Sequence, residues 1–258
     1  MRRLLSKRVA NSLCSRSQST LRSHWPKLRR QLDAIQNENG VIPLLPSNHQ
    51  SVVDRKTSVS DKTAAVLVLL VMVDEVPSLV FTQRSSHLSQ HAAQISFPGG
   101  HYEDQDSSLV ETAIREAKEE LYPQQTQADS VDWQDLAILG TATVVPSIRG
   151  VPVTPILAGL LDSSFSRPML SNMWPGNPTE VDFVFCASVR ELLLYESTRE
   201  LRATAYNPPN PTAPIFRVRH GNRDDDLIIW GLTAYVLQPL LHNLFLPVFY
   251  PGGLEGEK

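Results

Sequence analysis

Ten consecutive apolar residues, AAVLVLLVMV at 64–73, constrain the fold of this 258-residue chain more than any other stretch. The run is about half the roughly 20 residues that a helix needs to cross a bilayer. Its length and its Val and Leu content fit a strand buried on both faces. With 41% hydrophobic and 20% charged residues, the chain has ordinary globular composition and ample material for such a core. A soluble protein without a membrane span is expected.

The surrounding pattern is rich in strands. DEVP reads as a turn, and SLVFTQR at 78–84 as the second arm of a hairpin. QISF gives a short strand that ends at Pro98-Gly99-Gly100. Further strands are expected in LAILGTATVV from Leu136, VPVTPILAGLL from Val151 and VDFVFCAS from Val181. Short helices are expected at 189–195 and 231–243, and YNPPNPTAP reads as a loop. No internal repeat is present. The whole is expected to be one mixed α+β domain over 63–248, followed by a tail at 249–258.

Residues 1–32 carry several Arg and Lys and no acid, and Leu4, Leu5, Val9 and Leu13 could share a helical face. That composition predicts a mitochondrial transit peptide and residence in the matrix, a disordered basic tail being the alternative. Residues 33–62 read as a linker, with a short helix around KLRRQLDAIQ. The rest of the chain is acidic, which argues against a nucleic-acid surface. Cys14 and Cys186 lie far apart in unlike contexts, so neither a disulfide framework nor a zinc site is implied.

The stretch SFPGGHYEDQDSSLVETAIREAKEEL at 96–121 carries the chemistry. Ser108 and Glu111 have capping-box spacing, and Pro123 lies just past the other end of the helix. At about 100° per residue, Leu109, Val110, Ala113, Ile114, Ala117 and Leu121 gather into one apolar stripe. Glu116, Glu119 and Glu120 cluster beside it, and Glu120 projects between Leu109 and Ala113, at the edge that should be buried. An unpaired buried charge is costly, so something positive should sit there. Carboxylates at i, i+3 and i+4 can converge on a hard divalent cation, with substrate phosphates completing its shell. Arg115 could brace them or face an anion. A salt-bridged surface helix is the competing reading.

Gly100 followed by Arg115-Glu116-Ala117-Lys118-Glu119-Glu120 resembles the Nudix box. FTQRSSHLSQHAAQISFPGG, residues 81–100, is similar to the added motif of the coenzyme A diphosphatase branch of that superfamily. As in that branch, Asp106 lies six residues after the second glycine, and the spacing to the arginine is one longer than in the general signature. Looser matches extend the resemblance over about 64–243. The chain departs from the pattern at Tyr122, where a glycine is usual before the helix ends, and at Ala93, where the branch has glycine.

The resemblance implies an α/β/α sandwich around a mixed sheet and an Mg²⁺- or Mn²⁺-dependent hydrolase. Its substrate would be coenzyme A or acyl-CoA, cut to 3',5'-ADP and 4'-phosphopantetheine or its acyl form. It also implies Glu116 and Glu120 as metal ligands and Glu119 as a third ligand or the base that deprotonates water. Arg115 would orient the carboxylates. Gly99 and Gly100 would let chain or phosphate pass closely, and Arg84 with Ser85 would contact substrate phosphate, with His91 and His87 as weaker partners. Trp230 and Gly231 match a further motif and are expected in the core. Trp174, Tyr206 and Phe216 could stack on adenine, although packing is the commoner use of such residues. Two other readings compete: hydrolysis of another nucleoside diphosphate derivative, such as NADH, ADP-ribose or an oxidised nucleotide, and a silent scaffold that only binds. Oligomeric state is not encoded in any of these features.

Overall fold

The computed structural model describes residues 20–39, 63–86, 93–122, 133–166, 174–200, 212–219 and 226–254. The apolar run forms β1 (Ala64–Val73), and the sheet grows on both of its sides. On one side β7 (Pro152–Phe165) runs parallel to it, pairing Ala64 with Val153. On the other side β2 (Val76–Arg84) pairs antiparallel along its second half, and β4 (Gly99–His101) along its first half. β3 (Ile95–Ser96) and β8 (Val181–Ser188) pair with β2, while β5 (Leu136–Thr141) and β6 (Val145–Pro146) pair with β7. The result is a mixed sheet, as expected.

Both faces of β1 are covered. Val68, Leu70 and Met72 join a core with Leu28, Leu32, Leu237 and Leu244. Leu67, Leu69 and Val71 face the other way, onto Ala113, Ala117 and Leu121. The second set belongs to α2 (Leu109–Leu121), which carries the clustered glutamates. The first set is closed by α1 (Trp25–Asn39) and by the C-terminal helices.

α1 corrects the expected boundaries. Leu21, Leu28, Leu32 and Ile35 are all core residues, with Leu21 in a 3-10 turn (Leu21–Ser23) ahead of the helix. Leu28, Leu32 and Ile35 repeat at i, i+4 and i+7, one stripe of an amphipathic helix. Burying each such side chain contributes about 2 kcal/mol. Arg22 also pairs with Asp162 on β7, and Arg29 donates to the carbonyl of Ile138 at 3.0 Å. A transit peptide ending at 32 and a linker beginning at 33 would both cut through this packed helix. Residues 1–19 lie outside the described residues.

At the other end, α4 (Leu232–Leu240) continues through a π-helical turn (Leu241–Phe245) into α5 (Leu246–Phe249). Leu232–Phe249 is long and apolar enough to cross a membrane by length and composition, but Val236, Leu237, Leu240, Leu244 and Phe245 pack in the core. Between α3 (Val189–Leu194) and α4 lies a second, antiparallel sheet of β9 (Glu196–Glu200), β10 (Thr212–Val218) and β11 (Leu227–Ile229). The expected loop YNPPNPTAP therefore gives way to strand at Thr212. Trp230, expected in the core, is 41% exposed. β11 alternates inward, outward, inward, so Trp230 falls on the outward side, and Gly231 with φ 66° turns the chain before it re-enters.

Candidate active site

Local rules put α2 where it is. The Ser108 hydroxyl accepts the Glu111 N–H at 3.2 Å, and Glu111 accepts from the Ser107 N–H at 2.7 Å, so free donors of the first turn are capped. At the far end Tyr122 is extended, as a residue before proline must be, which ends the helix without the family glycine. The apolar stripe docks on the sheet and carries Glu120 in with it.

Glu116, Glu119 and Glu120 differ sharply in environment. Glu120 is 2% exposed; its Oε2 accepts from the Thr82 hydroxyl at 3.1 Å, and its Oε1 lies 3.8 Å from Arg84 Nη1. Burial pushes its pKa up to about 8, against the opposing pull of Arg84 and Thr82. Glu116 is also raised, by burial first. Each of these two feels the negative charge of Glu180. Glu119 is the more exposed of the three and accepts from Arg115 Nη1 at 3.2 Å.

Arg115 is locked in place. Its Nε and Nη2 grip the two oxygens of buried Asp106 at 2.9 and 3.0 Å, and Nη2 also donates to the His101 carbonyl at 3.0 Å. Nη1 reaches Glu116 and Glu119, each at 3.2 Å. Asp106 further accepts from the Thr112 hydroxyl at 2.9 Å and the Glu103 N–H at 3.0 Å. Its pKa is held well below the usual carboxylate range, chiefly by Arg115. Arg115 therefore spans the helix from a structural acid to the clustered ones.

The glycines serve this arrangement. A side chain at Gly100 would overlap the Glu116 carboxylate, and one at Gly99 (φ 152°) would overlap the backbone of Ala65 and Val66 on β1. Gly100 thus leaves room for a carboxylate, while Gly99 lets two strands approach. Arg84 stands at the end of β2 beside Glu120, half-exposed. Ser85 is buried, and its N–H donates to the Glu180 carbonyl at 2.8 Å, so it ties β2 to the segment before β8. Ala93 holds φ 57°, the left-handed conformation that a glycine adopts freely. His87, His91 and Tyr206 lie outside the described residues. Trp174 is buried and donates its indole N–H to the Tyr122 hydroxyl at 3.1 Å, and Phe216 is wholly buried. Neither ring is available for stacking.

Thr82 and Glu180 were not singled out from sequence. Thr82 lies in the strand stretch FTQR, where alternation sets its face but gives no partner. Glu180 sits in NPTEVDFVF and is placed by a turn in which Asn177 donates to it at 3.2 Å. That turn is stapled to the end of α2, since the Asn177 N–H donates to the Glu120 carbonyl at 2.8 Å.

Among the described residues no group of three or more His, Cys, Asp or Glu side chains is already gathered to hold a metal ion. The donor chemistry nevertheless fits a hard cation. Two desolvated carboxylates and Glu180 meet only Arg84 at 3.8 Å and the arm of Arg115, which is shared with Asp106. Oxygen donors short of positive charge are what Mg²⁺ and Mn²⁺ take.

A NUDIX domain model matches residues 61–144. The protein described as the uncharacterized Nudix hydrolase NudL of Yersinia enterocolitica is 35% identical over 192 residues, covering 72% of this chain and 84% of that one. The chain belongs to the Nudix hydrolase family. The Photorhabdus laumondii protein of the same description is 31% identical over 190 residues, covering 74% of this chain and 89% of its own length. Among solved structures, the Nudix hydrolase RenU from M. smegmatis shares 16% identity over 51% of this chain and 73% of its own, with a TM-score of 0.35.

This Nudix hydrolase therefore acts on a pyrophosphate bond of a nucleoside diphosphate derivative, a small-molecule substrate. Members of the family generally use divalent ions such as Mg²⁺ or Mn²⁺. The scaffold that binds without turnover is set aside. Mitochondrial residence is corrected as well: the relatives come from Yersinia, Photorhabdus and Salmonella, bacteria that lack mitochondria.

Proposed function

We propose that this Nudix hydrolase cleaves the diphosphate bridge of coenzyme A and acyl-CoA, releasing 3',5'-ADP and 4'-phosphopantetheine or its acyl form. The reading is carried by residues 81–100, whose pattern resembles the coenzyme A diphosphatase motif and whose Thr82, Arg84 and Gly100 lie against the glutamates of α2. The motif and the box thus meet in one place. Ala93 gives little support to another substrate, since it holds a positive φ that a glycine would adopt freely.

Glu116 and Glu120 hold the divalent ion, and Glu119 supplies a third oxygen or the base for the attacking water. When bound, the ion shields the anionic diphosphate oxygens and acidifies the water. Arg115, anchored on Asp106, keeps Glu116 and Glu119 in position. Arg84 offsets the charge of Glu120 and has enough exposed surface to meet a substrate phosphate. The water oxygen joins one phosphorus, the bridging P–O bond breaks, and a proton passes to a carboxylate. Positioning and electrostatics carry most of such a reaction.

The test is a product assay with the full chain and Mg²⁺ or Mn²⁺. Coenzyme A, acyl-CoAs, NADH, ADP-ribose and 8-oxo-dGTP are incubated separately, and products are weighed by mass spectrometry. Formation of 3',5'-ADP and a phosphopantetheine, with the other substrates far slower, is the expected result. Intact coenzyme A beside rapid cleavage of another diphosphate would reject the assignment.

A further inference from the structure

Two hydroxyl groups stand behind the buried carboxylate of α2. Thr82 Oγ1 lies 3.1 Å from Glu120 Oε2 and 3.5 Å from Ser96 Oγ. Thr82 and Ser96 are direct partners in the antiparallel pairing of β2 with β3, so their side chains leave the sheet on one face, the face that α2 covers. Thr82 is wholly buried, so its hydroxyl needs partners in the interior.

The direction of the chain follows from proton counting. An ionised carboxylate only accepts, and a hydroxyl has one proton to give. With Glu120 ionised, as it would be when holding a cation, Thr82 donates to Glu120 and can only accept from Ser96. The torsion at the end of a glutamate side chain is broad and nearly two-fold, so a free carboxylate has no fixed plane. A bond that occupies Oε2 sets that plane and leaves Oε1 on the side where Arg84 brings positive charge to 3.8 Å.

We infer that Thr82, backed by Ser96, is a positioning residue for the divalent ion: by holding Oε2 it fixes the carboxylate plane of Glu120, which would be an ion ligand. This rests on Glu120 being an ion ligand. Partners behind ligating carboxylates commonly set metal affinity as strongly as they set activity. Valine has nearly the shape of threonine without the hydroxyl, so it separates positioning from packing.

The experiment measures the Kd for Mn²⁺ by electron paramagnetic resonance, together with kcat at saturating Mn²⁺, in the full chain and in T82V, T82S, S96A and E120Q. T82V should weaken Mn²⁺ binding about tenfold, T82S should restore it to within about twofold, and kcat should largely recover at high Mn²⁺. An unchanged Kd in T82V, with binding lost in E120Q, would overturn the positioning role alone. Binding retained in E120Q would remove Glu120 as a ligand and the positioning role with it. Should T82V fail to fold, S96A carries the test: Kd rises about threefold, the low end of what one hydrogen bond contributes, or its constancy rejects the relay.

Discussion

The two ends of α2 each bury a carboxylate, and the two are treated in opposite ways. Asp106, just ahead of the helix, receives two bonds from Arg115, one from Thr112 and one from a backbone N–H, and its pKa is pulled down. Glu120, in the last turn, has one hydroxyl bond and an arginine at 3.8 Å, and its pKa is pushed up to about 8. Solvent exposure is similar, 3% and 2%, but desolvation dominates at Glu120 whereas the bonds from Arg115 dominate at Asp106. Desolvation and the supply of positive charge separate them together. Asp106 gets its cation from the protein, whereas Glu120 is left short of one, as a residue must be if it is to bind an ion from outside.

Substitutions should break this contrast most visibly. D106N strands Arg115 and is expected to give the largest loss of stability, read as a lower urea midpoint. E120Q removes a buried acid whose desolvation Arg84 offsets only in part, so the metal-free protein should gain stability while turnover falls by about a hundredfold or more, beyond the usual cost of losing a residue behind a ligand. A lower midpoint in E120Q than in D106N would invert the assignment of roles.

The pH dependence should sharpen it. Between the ordinary value of 4.5 and about 8, folded metal-free chain keeps a proton on Glu120 that unfolded chain gives up. Stability should therefore fall as pH rises through that window, by up to about 1.4 kcal/mol per unit for one proton. Asp106 works the other way: its contribution is present above 3.8 and is lost as pH falls toward its depressed folded value. Calorimetry from pH 5 to 9, with chelator and then with Mn²⁺, should show a decline that the ion reverses and that E120Q flattens. A flat metal-free profile would contradict the high pKa of Glu120.

The smallest expected effect lies outside α2. A93G should stabilise the chain by about 1 kcal/mol, by relieving an alanine held at positive φ. It leaves both carboxylates untouched, so its pH profile should match that of the parent.

The helix was more legible in sequence than its surroundings. The 3.6-residue period placed Glu120 between Leu109 and Ala113, and capping chemistry set the start at Ser108. β1 was legible for the same reason, since ten apolar residues leave little choice. What supports Glu120 was not, because Thr82 and Glu180 reach it only through strand pairing and a turn, both long-range. β9 has no apolar residue, β11 is only three residues long, and β10 begins inside a proline-rich stretch that local rules assign to a loop. The stripe Leu28, Leu32, Ile35 was present to be read, but basic composition drew that segment toward a targeting role.

That first helix has a consequence for synthesis. Arg29 bonds a partner 109 residues downstream, and Gln31 donates to Asn243, 212 residues away. α1 therefore emerges from the ribosome long before anything exists to cover Leu28 and Leu32. Until the last helices are made, it is an amphipathic stretch with its sticky side bare, a natural stopping place for a chaperone. The sheet can pair early, but the domain closes only when its oldest segment meets its newest.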